Sequence, residues 1–177
     1  MGNFPLLSSI LSHYNVPLRS YMEIGVCDGR SIKSVIGEYP TLERIVLSDT
    51  WQDEYGGSGK GSHDHIIDML KECGFGLEKA IFLDGDSKET VPCFFNSNKD
   101  EFDVIFVDGD HSPLGCLTDI ANCIEHCTIL IVDDTRHILY GFIKDICYAF
   151  YDTIKERFYM IDDGKDFIYF IRKDFWR

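Results

Sequence analysis

The chain has 177 residues, a length typical of one domain, and we predict a single domain over residues 1–177. Its formal net charge of −13 argues against nucleic acid and against an anionic membrane surface as partners, because both attract clustered Lys and Arg. The same charge suits a site in which carboxylates bind a cation.

The cysteines and the start of the chain indicate a reducing compartment. Residues 1–20 lack the basic start and apolar core of a secretory leader, so we expect a cytoplasmic protein with free thiols. A possible metal cluster of Cys116, Cys123, His126 and Cys127 lacks a CxxC spacing. We therefore interpret these cysteines as small buried side chains and keep the metal cluster as the alternative.

Apolar runs alternate with amphipathic segments along the chain. The patterns predict a short first helix at 4–15, then strands at 20–26, 43–49, 79–87, 102–108 and 128–134, and further helices at 31–40, 65–74, 115–127 and 138–154. Residues 157–173 read as two strands around the turn "DDGKD".

These elements predict an α/β fold. Several strands are apolar throughout, as in parallel sheets that are buried on both faces. We expect a doubly wound, seven-stranded sheet in a three-layer sandwich, mostly parallel, with the order 3-2-1-4-5 and an antiparallel C-terminal hairpin at its edge. The last residues, 166–177, are interpreted as a strand and its cap, with a homodimer contact as the alternative.

Acidic residues follow the predicted strands at one edge of the sheet. Asp108 ends the fourth strand, and Asp133 and Asp134 end the fifth. Because neighbouring strands lie about 4.8 Å apart, these three carboxylates should converge and repel one another unless a cation intervenes. We predict that Asp108, Asp133 and Asp134 bind Mg²⁺ or another divalent cation. The alternative is that the Asp133–Asp134 pair only opens a turn.

The loop "EIGVCDGRS" (23–31) has the spacing Glu-x-Gly-x-x-x-Gly rather than G-x-G-x-x-G. Cys27 stands where a dinucleotide-binding loop has the glycine that admits a pyrophosphate, so a dinucleotide is disfavoured. Asp49 follows Gly29 by twenty residues and can accept both ribose hydroxyls of a nucleoside. This acidic pocket suits a nucleoside without phosphates that carries an amino acid and a positive sulfur.

The chain resembles class I S-adenosylmethionine (SAM)-dependent methyltransferases. It is most similar to the small metal-dependent O-methyltransferases that act on sugars and natural products, relatives of catechol O-methyltransferase. The resemblance spans about residues 20–173 and rests on "EIGVCDGRS", "IVLSDTW", "FLDGDSKETVP", "FDVIFVDGDHS" and "ILIVDDTRH" in that order. It implies a Rossmann-like fold, SAM and Mg²⁺ as cofactors, and a small-molecule or sugar hydroxyl as the methyl acceptor.

The resemblance also implies a role for individual residues. It places SAM beside Glu23, Gly25, Gly29, Ser31, Asp49, Asp86, Ser87 and Asp108. In this arrangement Glu23 and the two glycines line the methionine part, the carboxylate at position 49 holds the ribose, and positions 86 and 87 lie at the adenine edge. Catechol O-methyltransferase has a catalytic lysine shortly after its metal aspartate, and this chain has "HSPLGC" there. We therefore predict His111 as the general base, with His137 in reserve.

Three functions remain open from the sequence. The first is a metal-dependent O-methyltransferase with a glycine-rich lid at 55–65. The second is a SAM-binding protein of the same fold without catalysis. The third is a hydrolase in which a carboxylate-bound metal activates water.

Overall fold

The structure is a computed structural model that describes residues 4–52 and 62–176. In these two segments, seven strands form one sheet: β1 (Ser20–Ile24), β2 (Arg44–Asp49), β3 (Ala80–Asp84), β4 (Phe102–Val107), β5 (Cys127–Val132), β6 (Phe158–Asp162) and β7 (Ile168–Arg172). Six α-helices of the described residues flank the sheet: α1 (Leu7–His13), α2 (Arg30–Glu38), α3 (His63–Glu72), α4 (Ser87–Ser97), α5 (Pro113–Cys123) and α6 (Phe142–Ile154).

The sheet has the order β3-β2-β1-β4-β5-β7-β6. Strands β1 to β5 are parallel, β7 runs antiparallel to β5, and β6 pairs antiparallel with β7 at the edge. The predicted order of the first five strands and the C-terminal hairpin are both confirmed. The order reverses between β1 and β4, and this is where ligands bind in open α/β sheets.

Two apolar layers cover the two faces of the sheet, which confirms the three-layer sandwich. Alternate residues of β4 illustrate the division, because Val104 and Phe106 pack with α1, α2 and α3 while Ile105 and Val107 pack with α4, α5 and α6. Side chains of successive strand residues point to opposite faces, so a strand that is covered on both faces is apolar at every position.

Helix α4 was not predicted from the sequence. Pro92 lies inside this helix and lacks the N–H that would bond the carbonyl four residues earlier, which disfavours a helix. Burial outweighs that loss, because Val91, Phe94 and Phe95 share one face and pack into the core. The predicted third strand, at 79–87, therefore ends at Asp84 and gives way to a helix.

Two further predictions concern other parts of the chain. Residues 55–61 of the predicted lid lie outside the described residues, and Ser62 caps the start of α3 by accepting a hydrogen bond from the His65 amide. Cys116, Cys123 and Cys127 are buried with free thiols, as the interpretation of small apolar side chains requires. Within residues 4–52 and 62–176, no helix combines the length and apolar character needed to span a bilayer.

Candidate active site

The loop after β1 lies directly against the backbone that follows β4. Gly25 has φ +85°, and a Cβ atom at this position would lie 2.0 Å from the carbonyl oxygen of Asp108. The Asp108 amide donates to the carbonyl of Ile24 at 2.9 Å, which ties the two segments together. Only glycine allows this approach, so the first glycine of the motif is required by the fold of the loop itself.

The second glycine of the loop sits between helices. Gly29 has φ +76° and precedes α2, and a Cβ atom there would lie 2.8 Å from Ile66 and 2.9 Å from Met69, both on α3. Ser31 is the second residue of α2. The loop therefore turns sharply and starts α2 close to α3, beside the crevice that β1 and β4 form.

Asp49, at the end of β2, organises the same loop. Its Oδ2 atom accepts hydrogen bonds from the amides of Val26 at 2.8 Å and Cys27 at 2.9 Å, while Oδ1 accepts from the Trp51 amide at 2.7 Å. Two bonds fill Oδ2, whereas Oδ1 can accept one more donor. The carboxylate thus shapes the loop and retains capacity for one ligand hydroxyl, fewer than the two that the spacing suggests.

Glu23 lies beneath the loop with 1% of its surface exposed. Its carboxyl accepts a hydrogen bond from the Tyr21 hydroxyl at 2.8 Å. Burial raises the pKa of Glu23 well above its usual value, and the charges of Asp108, Asp49 and Asp133 raise it further although the Tyr21 bond lowers it. The structure therefore places an acid that resists ionisation next to the predicted cofactor loop.

Three residues at the ends of β4 and β5 form a cluster that could hold a metal ion. Asp108, His111 and Asp134 each offer one ligand atom, and these atoms lie within 4.8 Å of one another. The Nε2 atom of His111 is 3.2 Å from Asp108 Oδ1 and 3.4 Å from Asp134 Oδ2. Asp133, the remaining predicted ligand, instead accepts a hydrogen bond from the Asp134 amide at 2.7 Å.

The pKa values in this cluster reflect excess negative charge. Burial raises the pKa of Asp108, although its hydrogen bond with His111 opposes this effect. Burial and the charge of Asp108 raise the pKa of Asp133 to about 8. Burial lowers the pKa of His111, but the hydrogen bond and charge of Asp108 together with the charge of Asp134 outweigh burial and raise it. A cation bound here would relieve this repulsion, and the carboxylate and imidazole groups are suitable ligands.

His137 is not in this cluster, but the ring of Tyr140 contacts both His137 and His111. Tyr140 stacks on His111 with ring centroids 4.6 Å apart and on His137 with centroids 4.8 Å apart. His137 is exposed, and its Nδ1 atom accepts a weak hydrogen bond from the Leu139 amide at 3.3 Å. No sequence signal pointed to Tyr140, because an aromatic residue before a helix is ordinary. Its position follows from how the segment between β5 and α6 folds back.

The predicted adenine edge lies at the start of α4. Asp86 caps this helix by accepting a hydrogen bond from the Lys88 amide at 2.9 Å and pairs with the Lys88 ammonium at 3.4 Å. Ser87 donates its hydroxyl proton to Asp119 Oδ1 at 2.7 Å. Asp119 was not identified from the sequence. A signal was present, since Asp119 lies on the buried face of α5 that Cys116 and Ile120 also occupy.

Comparisons with known proteins support the fold. No protein-family model matches the sequence, and no curated protein matches it either. Many solved structures match the fold. The apo structure of CalS11, a TDP-rhamnose 3′-O-methyltransferase, has a TM-score of 0.66 at 18% identity, covering 95% of this chain and 78% of its own.

Two further structures were solved with ligands. The O-methyltransferase TomG from Streptomyces achromogenes, in complex with SAM, has a TM-score of 0.64 at 16% identity, covering 94% of this chain and 78% of its own. The methyltransferase MycE, in complex with Mg and SAH, has a TM-score of 0.61 at 14% identity and covers 96% of this chain and 50% of its own. As the sequence resemblance implies, the chain has the Rossmann-like methyltransferase fold.

Proposed function

We propose that residues 1–177 act as a SAM-dependent O-methyltransferase domain that methylates a hydroxyl group of a small molecule or sugar, assisted by a divalent cation. The observation that carries this proposal is the cluster of Asp108, His111 and Asp134 at the crevice where Gly25 meets the Asp108 backbone. A TDP-rhamnose O-methyltransferase among the structures of the same fold supports a sugar hydroxyl as the acceptor class.

The loop after β1 fits a sulfonium nucleoside. SAM, when bound, supplies an electrophilic methyl group on a positively charged sulfur. The glycines at positions 25 and 29 allow the loop to turn tightly against the Asp108 backbone and helix α3, and Asp49 retains one acceptor position for a ribose hydroxyl. The acidic groups nearby favour the positive charge that such a nucleoside carries.

The acidic cluster fits a divalent cation. Asp108 and Asp134 would hold the ion, and Asp133, whose Oδ1 atom accepts a hydrogen bond from the Asp134 amide, is proposed as a third ligand through its other carboxylate oxygen. A cation at this position supplies positive charge that lowers the pKa of an acceptor hydroxyl. The raised pKa values of Asp108 and Asp133 support the proposal, because carboxyls without enough positive charge nearby are the groups that a cation stabilises.

His111 is the proposed general base. It must be neutral to accept the hydroxyl proton, and the two neighbouring carboxylates raise its pKa and so favour the protonated form. A cation that neutralises Asp108 and Asp134 would lower the pKa of His111. The neutral imidazole could then take the proton at Nε2. With SAM bound, the deprotonated acceptor oxygen would form a bond to the methyl carbon, and the electron pair of the broken C–S bond would remain on sulfur as the neutral thioether.

The test combines ligand binding with turnover. S-adenosylhomocysteine (SAH) should raise the unfolding temperature, since a ligand that binds only the folded state stabilises it. After bound metal ions are removed with a chelator, transfer of labelled methyl from SAM to a panel of sugar and phenolic hydroxyls should occur only when Mg²⁺ is added back. It should fall roughly 10²–10⁴-fold in His111→Ala, the range expected for loss of a general base.

The outcomes separate the three functions. If SAH does not raise the unfolding temperature, the proposed SAM site is wrong and the hydrolase remains as the candidate function. Protection by SAH without metal binding or transfer to any acceptor would indicate a SAM-binding protein without catalysis. Transfer that persists in Asp108→Asn and after chelation would overturn the role of the metal. Asp103→Asn, at the opposite edge of the sheet, serves as the matched carboxylate control.

A further inference from the structure

Asp119 on α5 is a buried acid that the proposed chemistry does not use. It has 0% exposed surface, and its Oδ1 atom accepts the hydroxyl proton of Ser87 at 2.7 Å. Its Oδ2 atom has no hydrogen-bond partner among the described residues. Burial raises the pKa of Asp119 to about 7 although the Ser87 bond lowers it. A buried carboxyl with one oxygen unbonded is costly, so its retention needs a reason.

The surroundings of Asp119 place it behind the predicted adenine edge. A Cβ atom on Gly109 would lie 3.3 Å from Asp119 Oδ2 and 2.9 Å from the Ile24 side chain. Gly109 therefore separates the end of β1 from α5, directly after Asp108. Ser87 is only partly buried, at the start of α4. Asp119 has no exposed surface, so its carboxylate can act on a ligand only through the serine.

The direction of this hydrogen bond decides what Ser87 offers to a ligand. An ionised carboxylate accepts hydrogen bonds and donates none, whereas a hydroxyl group has one proton to donate and two lone pairs. Since Ser87 gives its proton to Asp119, its oxygen can only accept from a third group. A serine without such a partner rotates and serves as donor or acceptor equally well.

We propose that Asp119 is a positioning residue that holds Ser87 as a hydrogen-bond acceptor and thereby selects adenine over hypoxanthine in the bound nucleoside. Adenine presents an exocyclic amino group, which donates. Hypoxanthine has a carbonyl oxygen at the same position, and two facing acceptors repel each other. This inference rests on the proposed function and on the adenine edge at Asp86 and Ser87 that the sequence resemblance implies.

The experiment compares two nucleosides that differ at this position. Dissociation constants for SAH and S-inosylhomocysteine are measured by calorimetry at pH 8.5, where Asp119 is ionised. Hypoxanthine would leave two buried acceptors facing each other unpaired, so the wild-type protein should prefer SAH by roughly tenfold or more. The preference should fall below about threefold in Ser87→Ala and Asp119→Ala, and to an intermediate value in the isosteric Asp119→Asn, whose amide can either donate or accept.

Asp103→Asn is the matched control. Asp103 also accepts a serine hydroxyl proton, from Ser20 at 3.1 Å, but at the edge of the sheet away from the crevice. This variant should keep the wild-type preference. A variant that only destabilises the fold weakens the binding of both nucleosides equally. The ratio of the two dissociation constants therefore reports positioning rather than stability.

Two results would overturn different parts of the argument. If Asp119→Ala and Asp119→Asn bind SAH with the wild-type preference, Asp119 merely ties α5 to α4. If the wild-type protein binds neither nucleoside, the proposed function itself fails and this inference with it. If Asp119→Ala does not unfold cooperatively, the isosteric Asp119→Asn and Ser87→Ala decide between these outcomes.

Discussion

Three acids where the parallel strands begin and three where they end are held in opposite ways, although Asp110 and Asp162 at the second edge also pair with Lys88 and Arg136. At the edge where the strands begin, acids pair with arginines: Asp100 with Arg44 at 2.7 Å, Glu125 with Arg157 at 2.6 Å and Glu101 with Arg172 at 3.3 Å. At the edge where the strands end, burial raises the pKa of Asp108, Asp119 and Asp133. The described hydrogen-bond partners of these three acids are a histidine, a serine and a backbone amide.

This difference separates groups that support the fold from groups that are available to a ligand. An acid beside an arginine is already neutralised and offers little to a bound cation. A buried carboxyl whose charge is incompletely neutralised destabilises the folded chain, and proteins tolerate such groups chiefly at functional sites. The raised pKa values of the buried acids and the strand order therefore both indicate that a ligand binds at the edge where the strands end.

The largest expected effect comes from the contact between the two loops at the site. Gly25→Ala should cost at least about 3 kcal/mol of unfolding free energy, because its Cβ would overlap the backbone of Asp108 and its φ is +85°. Gly164→Ala is the matched control, since φ is +75° there and nothing lies within 4 Å of the added carbon. It should cost only about 1–2 kcal/mol. Urea unfolding measures both, and equal losses would contradict the tight approach.

The second effect is a change of the unfolding free energy with pH, which arises from Asp119 near the edge where the strands end. With the pKa of Asp119 raised to about 7 from an ordinary 3.8, the unfolded chain releases this proton before the folded chain does. Stability from this group therefore falls as pH rises from about 4 to 7, by up to about 4 kcal/mol.

Asp119→Asn should remove that fall. The unfolding free energy of this variant relative to the wild-type protein should increase by about 2–4 kcal/mol between pH 4.5 and pH 8. Urea unfolding at several pH values measures the difference, and other titrating groups cancel because both proteins share them. A difference that does not change with pH would show that Asp119 is ionised throughout this range.

The sequence predicted the sheet and its ligand edge for a physical reason. Strands that are buried on both faces are apolar throughout, and parallel strands that follow one another through crossovers end at the same edge. The adjacency of β4 and β5 brings together the chain segments that follow them, which carry Asp108 and Asp134.

Features that depend on competing local forces could not be predicted in the same way. Helix α4 forms despite Pro92 because its apolar face is buried, and only the packed structure shows that balance. The choice of Asp134 over Asp133 in the cluster accompanies a left-handed backbone at Asp134, with φ +56°. The position of His111 between two carboxylates likewise depends on how the loop after β4 turns.

The third prediction concerns His111. Its raised pKa means that its ion pairs stabilise the fold fully below pH 6.5, the ordinary value, and that this stabilisation is lost as pH rises through the raised pKa. Asp134→Asn should lower the pKa of His111, measured by NMR titration of the ring, and cost about 1–2 kcal/mol at pH 6. Added Mg²⁺ should lower the same pKa in the wild-type protein. A pKa that responds to neither change would exclude electrostatic coupling within the cluster.

The smallest effect is expected at the opposite edge. The Arg157 hydrogen bond lowers the pKa of Glu125, so this pair stabilises the fold above pH 4.5 and loses its contribution as pH falls. About half of each side chain is exposed, at 56% for Arg157 and 49% for Glu125, so solvent screens the pair. Glu125→Gln should therefore cost no more than about 1 kcal/mol at pH 7, and almost nothing near pH 3. Its pH slope is opposite in sign to that of Asp119, and SAH binding should not change. If Glu125→Gln weakened SAH binding as much as a substitution at Asp49 does, the division of the sheet into a supporting edge and a ligand edge would be wrong.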